Sequence, residues 1–271
     1  MNSPPVVLTV AGFDPSSGAG ITADIKTIAA HGCYGVACIT ALTVQSTTGV
    51  RRVEPVDPIL LQESLYALRE DIEISAVHIG MLGSSAIARV VADFVTAEEM
   101  PHVVLDPILA SSSGADLIDA EGVIVLKNRL LPLAEIVTPN ADEAAALTGM
   151  KVANPDQMRA AAEILHSMGP KAVVITGGHF QEATDVLSVM GPGGAEQKTL
   201  SSRRLNSNST HGTGCAFATA IASHLALGKA VAEAVNLAKK YVYDAIENSY
   251  PLGKGVGPLN LEGLGGGRSG K

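Results

Sequence analysis

The sequence predicts a three-layer α/β/α protein with a mostly parallel central sheet. Short β-branched runs alternate with helical patterns, each run is followed by a polar or glycine-rich turn, and no linker interrupts about the first 250 residues. Strands that alternate with helices usually form parallel sheets, which helices must cover on both faces. We therefore expect a single domain over residues 1–258 and a flexible, glycine-rich tail over residues 259–271.

The elements of the first half follow from apolar runs and a helix cap. Val6–Ala11 is short and β-branched and predicts a buried strand, and a helix from about Ile21 to Ala30 follows the next glycine turn. Val36–Val44 predicts a second strand. Leucines then recur at helical spacing after Asp57-Pro58, a capping residue followed by proline, which predicts the start of another helix.

The second half continues the alternation and ends in helices. A strand pair is predicted around Gly191–Gly194, and two helices close the fold at about Thr213–Leu227 and Ala230–Asn248. Ligands bind at the carboxyl ends of the strands in open α/β sheets, so the turns after the strands are the expected walls of one site. Four further short apolar runs predict strands: Ala76–Ile79, Val103–Leu105, Ile136-Val137 and Ala172–Thr176.

Composition excludes several classes of function. The net charge of −8 opposes general nucleic-acid binding, and no apolar stretch approaches the roughly 18 residues of a membrane span. Three cysteines are too few for a disulfide framework and favour a reducing compartment, and the N-terminus lacks the basic segment of a secretory signal. We therefore expect a cytoplasmic protein that acts on a small molecule.

A late glycine turn, Thr210–Cys215, directly precedes a predicted helix. Gly212 and Gly214 let the backbone turn tightly beside a ligand, and with Thr213 they place free helical N–H groups in the turn. Such a turn can hold an anion and stabilise charge on a transferring phosphoryl group. The helix N-terminus is also expected to lower the pKa of the Cys215 thiol. A plain loop-to-helix junction with a small buried cysteine is the alternative interpretation.

The first glycine turn, Gly12–Gly20, also joins a strand to a helix. It is neither a P-loop nor a dinucleotide motif, because Gly-Lys-Ser/Thr and the GxGxxG spacing are both missing. Asp24 lies one turn into the helix, where its carboxylate either accepts from a ligand or is a solvated first-turn acid. Gln45 offers the donor and acceptor that an aminopyrimidine edge requires, and Met81 is polarizable enough to lie on a flat ring. Ordinary turn formation and core packing explain Gln45 and Met81 equally well.

Acidic and amide side chains follow two neighbouring predicted strands. Asp106 follows one of them, and Asn140 and Glu143 follow the next. Two carboxylates and an amide at adjacent strand ends suit a magnesium ion that is held partly through water and nucleotide phosphates. The simpler alternatives are a turn at Asp106 and a helix cap at Asn140.

The histidines outside the glycine turns are predicted to be structural. His31, His78 and His102 show no metal-ligand spacing, and only His211 lies inside a motif. The order of a Ser-His-Asp triad and the Gly-x-Ser-x-Gly elbow are both missing, and no histidine–acid pair is apparent that would activate Cys215. The sequence therefore disfavours a hydrolase.

Six segments form a specific ordered set: AGFDPSSGAGITADIKT (11–27), ITALTVQST (39–47), IGMLGS (79–84), VVLDP (103–107), TPNADEAAALTG (138–149) and THGTGCAFATAIA (210–222). This set resembles the bacterial hydroxymethylpyrimidine/phosphomethylpyrimidine kinases of thiamine biosynthesis, within the ribokinase-like family. The resemblance covers about Val7 to Pro258. The cysteine of GTGC is typical of this branch and of some pyridoxal kinases, whereas most related sugar kinases have aspartate there.

The resemblance implies an ATP-dependent kinase that uses Mg²⁺ and forms a homodimer. Its substrates would be 4-amino-5-hydroxymethyl-2-methylpyrimidine and then the monophosphate of that alcohol. The implied pyrimidine site consists of Gly12, Asp24, Gln45 and Met81. Cys215 takes the place of the catalytic base beside an anion hole formed by Gly212, Thr213 and Gly214. Asp106 and Glu143 lie near magnesium and phosphate, and ATP is bound at Asn140, Thr176 and Gly178.

Two departures from the family pattern remove cations from the phosphate site. Thr176 stands where the family usually has a lysine that touches ATP, and Ser112-Ser113-Gly114 replaces a frequent Lys-Ser-Gly. A lost charge-assisted phosphate contact costs roughly 1.5–3 kcal/mol. Lys239 and Lys240, on the final predicted helix, are the candidates for compensation, and Lys239 is the one predicted to bind ATP.

Two alternative functions stay open at the level of sequence. Pyridoxal kinase acts on a similar flat aromatic alcohol, although Gln45 and Met81 favour the pyrimidine. A non-catalytic pyrimidine sensor is suggested by the missing lysine at Thr176.

Overall fold

The structure, a computed structural model, describes residues 3–111, 114–178 and 183–262. Its strands are β1 (Val6–Phe13), β2 (Tyr34–Ser46), β3 (Gly49–Pro55), β4 (Ala76–Ile79), β5 (Val103–Leu105), β6 (Ile136–Val137), β7 (Ala172–Ile175), β8 (Ala183–Gly191) and β9 (Gly194–Ser202). Its α-helices are α1 (Gly20–Ala30), α2 (Pro58–Asp71), α3 (Ser85–Ala97), α4 (Ala120–Val125), α5 (Ala141–Thr148), α6 (Pro155–Ser167), α7 (Thr213–Ala226) and α8 (Val231–Glu247). A π-helical turn (Leu126–Leu130) and a 3₁₀ turn (Leu131–Leu133) extend α4.

The strands form one mixed sheet in the order β3-β2-β1-β4-β5-β6-β7-β8-β9. The six central strands, from β2 to β7, run parallel, and β3, β8 and β9 are antiparallel to their neighbours. The predicted parallel sheet and the strand pair around Gly191–Gly194 are confirmed. The hairpin strand β3 was not predicted from the sequence, because its side chains are mostly exposed and form no apolar run.

Helices cover both faces of the sheet, which confirms the predicted three-layer architecture. Leu8 and Val10 of β1 face the layer formed by α2 to α6, whereas Val7 faces the layer formed by α1, α7 and α8. Successive side chains of a strand point to opposite faces, so nearly continuous apolar strands are needed in a sheet that is buried on both sides. Among the described residues, no helix is long and apolar enough to cross a membrane.

The chain stays packed beyond the predicted domain boundary at residue 258. Leu259 and Leu261 are only 4% and 3% exposed and belong to the core beneath α7 and α8. The Asn260 N–H donates to the Ala245 carbonyl, and the Tyr241 hydroxyl donates to the Leu261 carbonyl. The prediction of a flexible tail from residue 259 is therefore wrong at its start, and residues 263–271 lie outside the described part of the chain.

Candidate active site

The two glycine turns that the sequence singled out are in direct contact. Gly212 caps α7 with a φ of 82°, a conformation that favours glycine, and a Cβ there would overlap the Gly18 carbonyl oxygen. A Cβ at Gly18 would in turn collide with the ring of His211. The close approach of the two backbones therefore depends on glycine at both positions, and it joins the loop before α1 to the start of α7.

Met81 forms an apolar wall beside the first glycine turn. A Cβ at Gly12 would collide with the Met81 methyl group, so the thioether lies directly over the backbone of β1. Met81 is buried with Ala41 and Leu117 in a small apolar cluster apart from the two main cores. The Thr40 hydroxyl donates to the Met81 carbonyl at 2.5 Å and holds this segment against β2. The structure thus brings Gly12 and Met81 together, as the interpretation of a pyrimidine site requires.

Gln45 is connected to the turn before α7 through His211. The Gln45 Nε2 lies 3.1 Å from the His211 Nε2, and the Thr43 hydroxyl donates to the Gln45 Oε1 at 3.2 Å. The same His211 Nε2 lies 2.9 Å from the Asp14 Oδ2. Gln45 therefore reaches the residue that precedes Gly212, and its side-chain amide lies beside the turn that starts α7.

Asp14 is a site residue that the sequence interpretation missed. Burial raises the pKa of Asp14, but hydrogen bonds from His211 and Ser16 outweigh burial and hold the pKa below its ordinary value. The carboxylate also accepts from the Ala19 N–H at 3.0 Å, so it fixes the loop that contacts Gly212. The available clue was its position directly after β1, where an acidic residue ends a buried strand.

Asp24 lies beneath the site rather than in its wall. Its side chain has no exposed surface, and its two oxygens accept hydrogen bonds from Thr9 (2.6 Å) and Thr219 (2.8 Å). The His78 Nδ1 lies 3.3 Å from the same carboxylate. The prediction that Asp24 contacts a ligand does not fit these contacts, because both oxygens are already occupied by buried partners.

His78 is part of this buried network. Burial lowers the pKa of His78, but the Asp24 carboxylate and the field of Asp106 outweigh burial and raise the pKa. Its Nε2 is buried without a hydrogen-bond partner among the described residues. His78 therefore belongs to the buried network around Asp24, which agrees with its predicted structural role.

Asp106 and Glu143 form a pair of largely buried acids at the ends of β5 and β6. Burial raises the pKa of Asp106 to about 6. Burial and the nearby Asp106 raise the pKa of Glu143 to about 8. Glu143 accepts from the Asn140 N–H at 2.8 Å, while the Asn140 side chain accepts from the Glu143 N–H in a capping box. The helix cap that was the simpler interpretation of Asn140 is therefore confirmed.

The donor set of this acidic pair suits magnesium. Burial destabilises both ionised carboxylates, and the field of Asp106 destabilises that of Glu143 further, so a divalent cation is the ligand that relieves these effects. In the described part of the chain, no group of three or more acidic, histidine or cysteine side chains is arranged to hold a metal ion. Magnesium usually takes one or two carboxylates and completes its shell with water and phosphate oxygens, which is what two acids beside a phosphate turn can offer.

Cys215 lies in the first turn of α7 and is partly exposed. The predicted low pKa of this thiol is wrong. Burial, followed by the fields of Asp106 and Asp24, raises the pKa well above its ordinary value, and a hydrogen bond from the Gly20 backbone offsets this only in part. Burial and the two acids together outweigh the helix N-terminus, because a thiolate is poorly solvated here and charges interact more strongly in such surroundings.

The residues predicted for ATP binding lie at the ends of β6 and β7. Asn140 and Thr176 form a parallel bridge, and the Thr176 N–H donates to the Pro139 carbonyl at 2.9 Å. Gly178 follows in the turn after β7, with space around its Cα. These residues are next to the acidic pair, because Asn140 also caps the helix that carries Glu143. Ser112 and Ser113, one of the two departures from the family pattern, lie outside the described residues.

Neither candidate lysine reaches into the site as a free cation. The Lys239 Nζ donates to the Asp185 Oδ2 at 2.6 Å and to the Ala183 carbonyl at 3.2 Å. Lys240 pairs with Asp244 on the same helix, and its side chain is 71% exposed. Lys240 is therefore excluded as compensation for the missing lysine, and Lys239 meets the end of β7 only through Asp185.

Comparisons with known proteins show the family to which the chain belongs. A family model described as phosphomethylpyrimidine kinase matches residues 14–260. The hydroxymethylpyrimidine/phosphomethylpyrimidine kinase of Haemophilus influenzae is 39% identical over 258 residues, which cover 94% of this chain and 95% of that protein. The thiamine biosynthesis bifunctional protein ThiED of Geobacter sulfurreducens is 44% identical over 254 residues. This chain spans 51% of that longer relative.

Solved structures show the same fold. The ADP complex of Bacillus subtilis pyridoxal kinase superposes with a TM-score of 0.87 at 33% sequence identity, and the match covers 97% of this chain and 99% of that one. The ribokinase-like, mostly parallel α/β/α architecture is thereby confirmed. Both the pyrimidine kinases and a pyridoxal kinase are therefore similar to this chain over nearly its full length.

Proposed function

Because the chain belongs to the phosphomethylpyrimidine kinase family, we propose that it transfers the γ-phosphate of ATP to 4-amino-5-hydroxymethyl-2-methylpyrimidine. We propose further that it phosphorylates the resulting monophosphate to the diphosphate, within thiamine biosynthesis. The chain is a kinase, and a non-catalytic pyrimidine sensor is therefore no longer an alternative that the family supports. What we propose beyond kinase activity is therefore the identity of the substrate and the presence of two phosphorylation steps.

One observation carries the proposal: the loop from Gly12 to Gly20 touches both halves of the site. At its start, Gly12 lies against Met81, which can pack on a flat ring. At its end, the carbonyl of Gly18 lies against Gly212, which caps α7 within the predicted anion-binding turn Thr210–Cys215. A planar alcohol on Met81 would therefore have its hydroxymethyl group beside the N–H groups at the start of α7.

The chain's own groups account for the transfer step. The backbone N–H groups of Gly212, Thr213 and Gly214 would stabilise the charge that develops on the transferring phosphoryl group, and for this the Thr213 N–H exchanges its long 3.4 Å contact with the Thr210 carbonyl for the phosphoryl oxygen. Because its pKa is raised, Cys215 acts as a thiol that orients the substrate hydroxyl by a hydrogen bond, and not as a thiolate that removes the hydroxyl proton. Gln45 orients the aminopyrimidine edge through its amide. Positioning and electrostatic stabilisation are the main contributions that phosphoryl transfer needs from a protein.

Magnesium would be held by Asp106 and Glu143 together with nucleotide phosphates. When bound, it neutralises negative charge on the phosphate oxygens. The Gly214 position supports this placement, because a Cβ there would lie 3.6 Å from the Asp106 Oδ2, so the acid adjoins the anion-binding turn. The family is also the basis for expecting a cytoplasmic homodimer, an assembly that size-exclusion chromatography with light scattering tests directly.

Pyridoxal kinase activity is the second candidate, favoured by the close superposition on the Bacillus subtilis enzyme. The deciding experiment offers the hydroxymethylpyrimidine, its monophosphate and pyridoxal in parallel, at equal ATP and Mg²⁺ concentrations, with products separated by chromatography. We expect the highest kcat/KM for the pyrimidine and measurable diphosphate formation from its monophosphate. A higher kcat/KM for pyridoxal would replace the proposed substrate, and no transfer to any of the three would reject the proposal.

A further inference from the structure

A buried ion pair lies behind the turn that follows β7. Lys239 of α8 and Asp185 of β8 are joined at 2.6 Å, with only 16% and 10% of their side chains exposed. The second oxygen of Asp185 accepts from the Gly177 N–H at 3.1 Å. A single carboxylate therefore bridges an ammonium group and the backbone of the turn.

The turn of residues 176–178 is fixed from three sides. The Thr176 N–H is bound by the Pro139 carbonyl on the side of β6, and the Gly177 N–H is bound by Asp185 on the side of β8. The Arg204 guanidinium donates to the Gly178 carbonyl at 3.0 Å. The turn carries no cationic side chain of its own, so its position relative to a nucleotide depends on these backbone contacts.

From this arrangement we propose that Lys239 is a positioning residue for the nucleotide, and that it acts through Asp185 rather than by contact with phosphate. The inference rests on the proposed function, because it assumes that ATP binds at the ends of β6 and β7. The Lys239 ammonium group pairs with the Asp185 carboxylate, and this carboxylate accepts the hydrogen bond from the Gly177 N–H. Without the ammonium group, a buried and unpaired negative charge would stand directly behind a site for phosphates.

Removing the charges of Lys239 and Asp185 one at a time and together distinguishes positioning through Asp185 from direct contact between Lys239 and the phosphates. Removing Lys239 alone leaves the Asp185 charge uncompensated, which both loosens the turn and repels ATP. Removing both charges leaves a neutral side chain that still accepts from Gly177. If Lys239 contacted the phosphates itself, the loss of Asp185 would bring no recovery.

The test compares Lys239→Met, Asp185→Asn and the double variant by KM for ATP, KM for the alcohol, kcat, and calorimetric binding of ADP with Mg²⁺. Lys239→Met should raise the KM for ATP and the Kd for ADP roughly tenfold or more, with the KM for the alcohol unchanged. The double variant should recover to within about threefold of Asp185→Asn. Lys240→Met is the matched control, because this neighbouring lysine pairs with Asp244 in solvent.

Each other outcome overturns the inference. A double variant as weak as Lys239→Met would mean direct contact with phosphate, and a Lys239→Met variant that behaves like Lys240→Met would mean no role. If Lys239→Met does not fold, the double variant decides alone, since only the positioning role predicts that it binds ADP within about threefold of Asp185→Asn. The ADP measurements do not depend on the acceptor, so failure of the pyrimidine assay with intact ADP binding would reject the proposed substrate and leave this inference standing.

Discussion

At Cys215 the surroundings outweigh the helix end. A thiol in the first turn of a helix ordinarily loses its proton more easily, because the free N–H groups stabilise the thiolate. Here burial and the fields of Asp106 and Asp24 raise the pKa instead. A thiol that keeps its proton can still donate to or accept from a substrate hydroxyl, although more weakly than oxygen does.

Substitution at Cys215 separates orientation from base catalysis. Cys215→Ala should lower kcat on the order of 100-fold, because the hydroxyl loses its orienting partner. Cys215→Ser should retain clearly more activity than the alanine variant, since a serine hydroxyl can form a similar hydrogen bond. Steady-state kinetics at saturating ATP measure both, with melting temperatures as the control for folding. Equal losses in the two variants would contradict orientation by the thiol, and wild-type turnover of Cys215→Ala would remove the residue from the mechanism.

Gly12 determines how closely the Met81 side chain can approach β1 at the proposed pyrimidine site. A methyl group at Gly12 would displace the flexible end of Met81 rather than the backbone, so Gly12→Ala should fold. We expect an increase of about tenfold in the KM for the pyrimidine, with the KM for ATP unchanged. Met81→Ala makes room for the new methyl group, so adding Gly12→Ala to that variant should cost little more. Gly193→Ala, where a Cβ meets open space, is the matched control, and an additive effect in the double variant would refute this account.

The contrast between Met81 and Asp24 shows what residue types predict. Met81 and Gln45 lie at the carboxyl edge of the sheet, because Met81 follows β4 and Gln45 lies at the end of β2. Asp24 is in the right motif, yet its side chain is held by Thr9 and Thr219, and Thr219 lies 195 residues away. No local pattern indicates so distant a partner, so the sequence could not show that both oxygens of Asp24 already accept hydrogen bonds inside the protein.

At the scale of elements, the alternation of strands and helices was predictable because both faces of the sheet are buried. The strands are therefore continuous apolar runs that stand out in the sequence. The hairpin β2–β3 was only half predictable. The β3 strand is stabilised by backbone pairing with β2, while Arg51 and Arg52 point to solvent and give no apolar pattern.

The ends of α1 and α7 and the middle of α8 meet in a cluster of rings. The ring centroids of His31 lie 4.7 Å from those of His224 and 4.6 Å from those of Tyr241. Burial, then His31 and Lys229, lower the pKa of His224 to about 4, against a weaker opposite effect of Glu233. The folded protein therefore resists protonation at a site where the unfolded chain accepts a proton near pH 6.5.

This depressed pKa predicts a loss of stability in acid. Between about pH 6.5 and pH 4 the unfolded chain binds the proton and the folded chain does not, so the free energy of unfolding falls as the pH falls. His224→Gln removes this dependence. The variant should gain roughly 1–2 kcal/mol relative to wild type between pH 7 and pH 4.5. Urea unfolding across that range measures the difference, and parallel curves for the two proteins would show that His224 does not titrate as described.

At the scale of the whole molecule, the last described segment connects the site to the core. The Gly257 carbonyl accepts from the His211 N–H, directly before the anion-binding turn, and the Val256 N–H donates to the Thr47 carbonyl at the tip of β2–β3. Two residues later the chain enters the core at Leu259 and Leu261. Glycine content predicted a flexible tail from residue 259, whereas the buried Leu259 and Leu261 and the hydrogen bond from the Asn260 N–H to the Ala245 carbonyl keep the start of that segment in place.

Leu261 should therefore contribute to global stability although it lies close to the end of the described chain. Leu261→Ala removes a side chain that is 3% exposed, and we expect the free energy of unfolding to fall by about 2–4 kcal/mol. Leu252→Ala, at a side chain that is 51% exposed, should change it by less than about 0.5 kcal/mol. Urea denaturation measures both. Because Leu261 belongs to the core cluster beneath α7 and α8, kcat well below the melting temperature should stay at the wild-type value. A Leu261→Ala variant as stable as Leu252→Ala would mean that this segment is not held in the core, and the link from His211 through Gly257 would then have no anchor.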